Sequence, residues 1–157
     1  MTIRPYHAAD SKAVVALALR AWEPIFGSIK QALEPAVYRA FYPDGWRPSQ
    51  KAAVKTSLAE HNVWVAERDG APIGFVSVVL HREDSIGEIH MVAVDPDHQR
   101  DGVGTALNAF ALEWIEDAGM AVAMVETGGD PGHAAARRTY EKAGFKVFPI
   151  ARYFKKL

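Results

Sequence analysis

At 157 residues the chain has the length of one ordinary domain, enough to bury a core. Its 18 Lys and Arg against 19 Asp and Glu leave a formal net charge of -1, which offers a polyanion no bulk attraction and excludes nucleic acid as the main ligand. The absence of cysteine excludes a disulfide framework, a Cys-ligated zinc and a thiol nucleophile; no apolar leader opens MTIRPYHAAD and no segment approaches the roughly 20 apolar residues of a membrane helix. The expectation is one soluble, cytoplasmic domain over 1–157, with no membrane partner.

Residues 2–6 predict a short strand, after which Asp10 can cap a helix carrying Val14, Val15, Leu17, Ala18, Ala21 and Trp22 at helical spacing; Pro24 is expected to end it. From Phe26 to His61 the chain is aromatic and punctuated by proline, with EPAVYRAFYPDGWRP followed by a predicted helix over 49–60. NVWVAER (62–68) and APIGFVSVVL (71–80) are rich in β-branched and aromatic residues, and Asp69-Gly70 between them is a hairpin signal, so they are expected to pair antiparallel. A third strand, 88–94, stops at Asp95-Pro96, and a helix follows over 102–117. AVAMVET then reads as a buried strand, GGDPGH as a loop, 134–142 as a helix and 145–154 as a last strand. The strand–helix–strand order from 88 to 126 implies a parallel pair. The expected fold class is therefore α/β (α+β): a mixed central sheet, antiparallel early and parallel late, with helices on both faces.

The junction QRDGVGT, 99–105, stands where the third strand hands over to a helix. A helix start leaves backbone N–H groups unpartnered and partly positive, so a glycine-rich turn there can cradle an anion; Gly102 and Gly104 would let phosphate oxygens approach the backbone. A tight turn alone would also use two glycines. No Lys precedes Thr105, which excludes a P-loop, and position 107 is Leu, which weakens a dinucleotide fingerprint.

The pattern Gln/Arg-x-x-Gly-x-Gly/Ala is met by Gln99, Gly102 and Gly104, and HAAARRTYEKAGF at 133–145 is similar to Asn-x-x-Ala-x-x-x-Tyr-x-x-x-Gly-Phe. Together these resemble the coenzyme A loop and the later motif of the GNAT superfamily of N-acetyltransferases, over about residues 85–148. The resemblance implies acetyl-CoA as co-substrate, no metal, and acetyl transfer to a primary amine of a small molecule or protein; dimers are common in that family, which makes a homodimer an expectation. It implies a pyrophosphate site on Gln99, Arg100, Asp101, Gly102, Val103, Gly104 and Thr105, and backbone contacts to pantetheine at Val92, Ala93 and Val94. His133, which replaces the usual Asn, lies with Ala136, Arg137 and Tyr140 along one helix face and would line the cofactor. Asp101, a carboxylate in an anion loop, must point away from the phosphates, with Arg100 offsetting it.

Amide formation from a thioester needs a neutral amine, a stabilised oxyanion and a proton for the departing thiolate. In IGEIHMVAV strict alternation puts Glu88, His90, Val92 and Val94 on one face and Ile89, Met91 and Ala93 on the other. The family often places its base on this strand, which implies Glu88, directly or through water, with His90 second; the same two residues could also be a solvated strand start and a core histidine. Tyr140 matches the family's general acid. A catalytically silent acyl-CoA-binding domain would share the fold and ligand. Trp22, Phe26, Tyr38, Phe41, Tyr42, Trp46 and Trp64 either wall an acceptor pocket or pack the core.

Overall fold

The computed structural model describes all 157 residues as one five-stranded sheet in the order β1 (Thr2–Pro5), β2 (Asn62–Arg68), β3 (Ala71–His81), β4 (Ile86–Val94) and β5 (Val122–Val125). The first four strands pair antiparallel with their neighbours, and β5 joins β4 in parallel. The β2–β3 turn has Asp69 and Gly70 at φ 53° and 79°, the two left-handed residues that match a tight hairpin to strand twist. Five helices complete the chain: α1 (Ser11–Ala32), α2 (Pro35–Phe41), α3 (Trp46–Glu60), α4 (Val103–Asp117) and α5 (Ala134–Lys142).

The sheet buries both faces. Val63 and Val65 of β2 point with Phe75 toward Val14, Leu17 and Ala18 of α1 and Val54 and Leu58 of α3. Trp64 and Ala66 point with Val76 and Val78 toward Val103, Leu107, Ala111 and Ile115 of α4. This two-sided burial explains why β2 reads as a continuous apolar run.

Several elements depart from the expected pattern. α1 runs through Pro24 to Ala32, although proline cannot donate to the Arg20 carbonyl and costs a helix interior about 3 kcal/mol. Beyond the proline, Phe26 is buried, stacked on Trp46 at 4.6 Å and met edge-on by Tyr42 at 5.4 Å, so aromatic packing carries the helix on. α2 lies in the stretch expected to be irregular; Pro35 at its first turn is the start signal. The strand expected at 121–127 is an edge strand of four residues with Val122 and Met124 exposed. Residues 145–154 form no strand although the outer edge of β5 is unpaired, so β propensity alone does not bring the segment onto the sheet. Val147, Phe148, Ile150 and Tyr153 there are exposed, while Phe154 packs on Phe41 at 4.9 Å and Arg152 pairs with Glu126 at 3.3 Å.

Strict alternation also fails in β4. Ser77 pairs with Met91 but Val78 pairs with Ile89, leaving His90 as an extra residue, a β-bulge. Ile89 packs with the α4 core, Met91 and Ala93 with the α1–α3 core, and Val92 and Val94 with the α4 core again. Thus Val92 and Val94 do not share the face of Glu88.

Asp10 does not cap α1 through its side chain. Its carboxylate takes two hydrogen bonds from Arg4, at 2.8 and 2.9 Å, and one from the His7 N–H at 2.9 Å. The Arg4 hydrogen bonds outweigh burial and hold the carboxyl below the usual range. A lowered carboxyl stabilises the fold fully above the unfolded value, near pH 4, and ceases to as pH falls through the folded value. Asp10→Asn should cost about 1–3 kcal/mol at pH 7, with the gap to the parent closing below pH 4 in urea titrations. Pro24→Ala restores a helix hydrogen bond and should raise stability by about 1–2 kcal/mol, read by calorimetry as a Tm increase of roughly 2–8 °C.

Candidate active site

β4 and β5 are paired only from Ile86–Val122 to Ile89–Val125. Beyond Ile89, β4 runs on to Val94 while the other chain turns into GGDPGH, so the β5-side edge of 90–94 has no strand partner. The bulge at His90 falls at the point of divergence. The two chains therefore part beyond Ile89, leaving a cleft between the unpaired edge of β4, which leads to α4, and the loop that leads from β5 to α5.

The α4 entry is shaped by left-handed backbone at Arg100 and Gly102, φ 66° and 78°. Successive turns of this kind aim amide groups to one side. The N–H groups of Val103, Gly104 and Thr105 make no hydrogen bond inside the chain; the first helical bond is Ala106 N–H to Gly102 O at 3.0 Å. Gly102 is required by its φ, whereas a Cβ on Gly104 would meet only Val94, at an ordinary 3.7 Å. Nothing within the chain demands glycine at 104, which leaves close approach by an outside group as its physical use. Asp101 is turned away onto Arg68 of β2, at 3.2 Å, so Arg68 rather than Arg100 matches its charge. Gln99 does not point into the turn either: its amide donates to Val94 O at 3.1 Å and ties the turn to the end of β4. Arg20 of α1 adds a second tie, reaching Asp95 at 2.8 Å and Asp97 at 2.9 Å.

At the apex of the cleft, Glu88 accepts from His81 Nε2 at 2.7 Å and from His90 Nδ1 at 3.3 Å. Burial opposes its charge, yet the two histidine hydrogen bonds prevail and keep the carboxyl below its ordinary range. The His90 ring meets His61 edge-on at 4.6 Å. His61 Nδ1 lies 3.0 Å from Ser57 Oγ, which donates to Ser77 Oγ at 2.9 Å, both serines being fully buried. With the Ser57 proton given to Ser77, His61 carries its proton on Nδ1; burial, then the nearby His90, push its pKa down and favour the neutral ring. His61 and His81 were invisible in the sequence because helix packing brings in the first and hairpin register the second. Val79 pairs with Glu88, so His81 is a diagonal neighbour on the same face.

Tyr140 on α5 is half-buried, packs edge-on against Phe145 at 6.1 Å, and its hydroxyl makes no hydrogen bond in the chain. Burial pushes the phenol up, so it stays protonated at neutral pH. Arg137 faces the loop rather than open space, donating to Gly128 O at 2.6 Å and Asp130 O at 2.9 Å. Asn108 is buried, holds Gly104 O at 2.8 Å, and leaves its own Oδ1 without a partner. The aromatic residues divide: Trp22 meets Phe75, and Trp64 meets Trp114 and Phe110, in the two cores. Phe26, Tyr38, Tyr42 and Trp46 stack on one another between α1, α2 and α3. No three His, Asp or Glu side chains are arranged to hold a metal, and no helix is long and apolar enough to cross a membrane.

Residues 28–145 match the sequence profile of the Acetyltransferase (GNAT) family. Mycothiol acetyltransferase of Streptomyces coelicolor is 38% identical over 52% of this chain and 26% of its own length; that of Cellulomonas flavigena is 33% identical over 72% and 41%. The chain thus spans between a quarter and two fifths of these two curated relatives. Among solved structures, the ribosomal-protein-S18-alanine N-acetyltransferase of Escherichia coli superposes with a TM-score of 0.68 at 22% identity, covering 92% of this chain and 77% of that one. With the cleft, the glycine turn and the later tyrosine motif all in place, the profile match settles the family: the chain belongs to the GNAT acetyltransferases.

Proposed function

We propose that residues 1–157 form one catalytic unit that moves an acetyl group from acetyl-CoA to a primary amine by direct attack while both substrates are bound. The observation that carries this is the pairing of unpartnered α4 amides with an unpaired β4 edge in one cleft. Val103, Gly104 and Thr105, with the turn from Gln99 to Gly102, offer fixed N–H dipoles to a pyrophosphate; residues 92–94 offer strand backbone to an amide-bearing arm. Acetyl-CoA would supply an activated thioester carbon. We place the reaction in the cytoplasm, where CoA thioesters are made.

The hydrogen bonds at Glu88 support a division of labour. A carboxyl held ionised and low by two histidines is a weak base at neutral pH, whereas an imidazole is matched to it. His90, its Nδ1 proton held on Glu88, can take the amine proton on Nε2 while Glu88 orients the ring and stabilises its charged form. The phenol of Tyr140 gives its proton to the departing sulfur. The acceptor stays at the level of a primary amine: the neighbours' names already range from the alanine of a ribosomal protein to aminoglycosides.

CoA at 100-fold over its Kd should stabilise the chain by about 2.7 kcal/mol, and an amine panel should release free CoA thiol from acetyl-CoA. No stabilisation and no thiol release would end the proposal. His90→Gln should lower kcat/KM by about 10²–10⁴-fold, while Glu88→Gln, which leaves the imidazole in place, should cost less. A larger loss in Glu88→Gln than in His90→Gln would make Glu88 the base instead. Tyr140→Phe should lower kcat by at least about tenfold with little change in the KM for acetyl-CoA, and full turnover would remove Tyr140 from the mechanism.

A further inference from the structure

The loop between β5 and α5 is held by a cluster that the proposed proton transfers do not use. Asp130 Oδ2 accepts from Ser28 Oγ at 2.5 Å and from the Gly132 N–H at 3.2 Å, and its Oδ1 faces His133 Nδ1 at 2.5 Å. Ser28 Oγ also accepts from the Gly132 N–H at 2.9 Å. Burial opposes the charge of Asp130, but hydrogen bonds from Ser28 and His133 hold its carboxyl below the ordinary range. An ionised carboxylate only accepts, so the His133 proton sits on Nδ1. In the neutral ring Nε2 is then the acceptor nitrogen, and it makes no hydrogen bond in the chain. The ring also lies against Gly128, where a Cβ would stand 2.5 Å from Nδ1 and 2.9 Å from Cε1. A ring pinned by a carboxylate on one edge and by bare backbone beneath it can neither flip nor change tautomer without breaking the cluster.

Resting on the proposed function, and on the family resemblance that puts His133 on a cofactor-lining helix face, we infer that Asp130 is a positioning residue that selects the His133 tautomer. It presents Nε2 to accept an N–H from an amide of the bound acyl carrier. Ser28 extends the hold to α1, which reaches this loop only because it continues past Pro24. The donor contact made by His133 is thereby coupled to the helix whose end packs against the aromatic cluster.

Asp130→Asn replaces an obligate acceptor by a group that can donate, which releases the tautomer. The variant should raise the KM for acetyl-CoA about tenfold and weaken thermal stabilisation by CoA, with kcat within about threefold of the parent. Side-chain ¹⁵N spectra should show the His133 proton on Nδ1 in the parent and redistributed in Asp130→Asn. His133→Ala should raise the same KM, and Asp130→Asn added to it should change little more, since both act through one contact. Ser28→Ala, which keeps the carboxylate, should move the KM in the same direction by less, and that effect should vanish in the His133→Ala background; it serves if Asp130→Asn does not fold. Unchanged donor KM and CoA stabilisation in both Asp130→Asn and Ser28→Ala, or additive effects with His133→Ala, would overturn the inference. A parent chain that CoA does not stabilise would instead overturn the proposed function, while the ¹⁵N spectra would still read the Asp130 hold.

Discussion

The site depends on one mismatch in the sheet: β4 carries a residue that β3 does not match, and β5 stops pairing at the same point. A regular strand would keep Glu88, His90, Val92 and Val94 on one face and hydrogen-bond both edges throughout. The extra residue at His90 lets the strand present its polar side chains to the α1–α3 side and then its valines to the α4 side. The end of pairing leaves backbone free along the valine stretch. The hydrogen-bonded Glu88 and His90 and the unpaired backbone of 92–94 are thus separated by a single bulge.

Two loops must be held still for such a cleft to be of use, and α1 reaches both. Arg20 grips Asp95 and Asp97 in front of the glycine turn, and eight residues later Ser28 grips Asp130 behind the cleft. The Arg20 pairs are solvent-exposed and contribute little net stability. Their value is geometric, since each fixes a loop to the longest rigid element in the chain. Proline in the middle of that element would ordinarily divide it, and Phe26, stacked on Trp46 just beyond, shows what keeps it whole.

Much of the fold was legible in the residues because its signals are local. Asp69-Gly70 specifies a hairpin by backbone conformation alone, and QRDGVGT marks a strand-to-helix turn by its glycines. The expected helices at 102–117 and 134–142 form within a residue of those bounds. What escaped is decided at a distance. No periodicity reveals a bulge, because it exists only relative to β3; no propensity shows that Pro24 will be overruled by Phe26 and Trp46. The stretch 145–154 reads as a strand by composition and yet does not pair, because propensity fixes no partner. In the proposed site, the glycines stand out in the sequence and Tyr140 enters through the family resemblance, whereas His61, His81, Ser28 and Asp130 are joined to their partners only by tertiary packing.

The glycine turn has a consequence for how binding and chemistry can vary independently. Its exposed donors are peptide dipoles, and the one nearby carboxylate, Asp101, is occupied by Arg68. Peptide N–H groups do not titrate, so what the turn offers an anion is the same in mild acid as at neutrality. Glu88, whose charge does depend on pH, stands outside the turn, and the donors of the turn themselves carry no pH dependence.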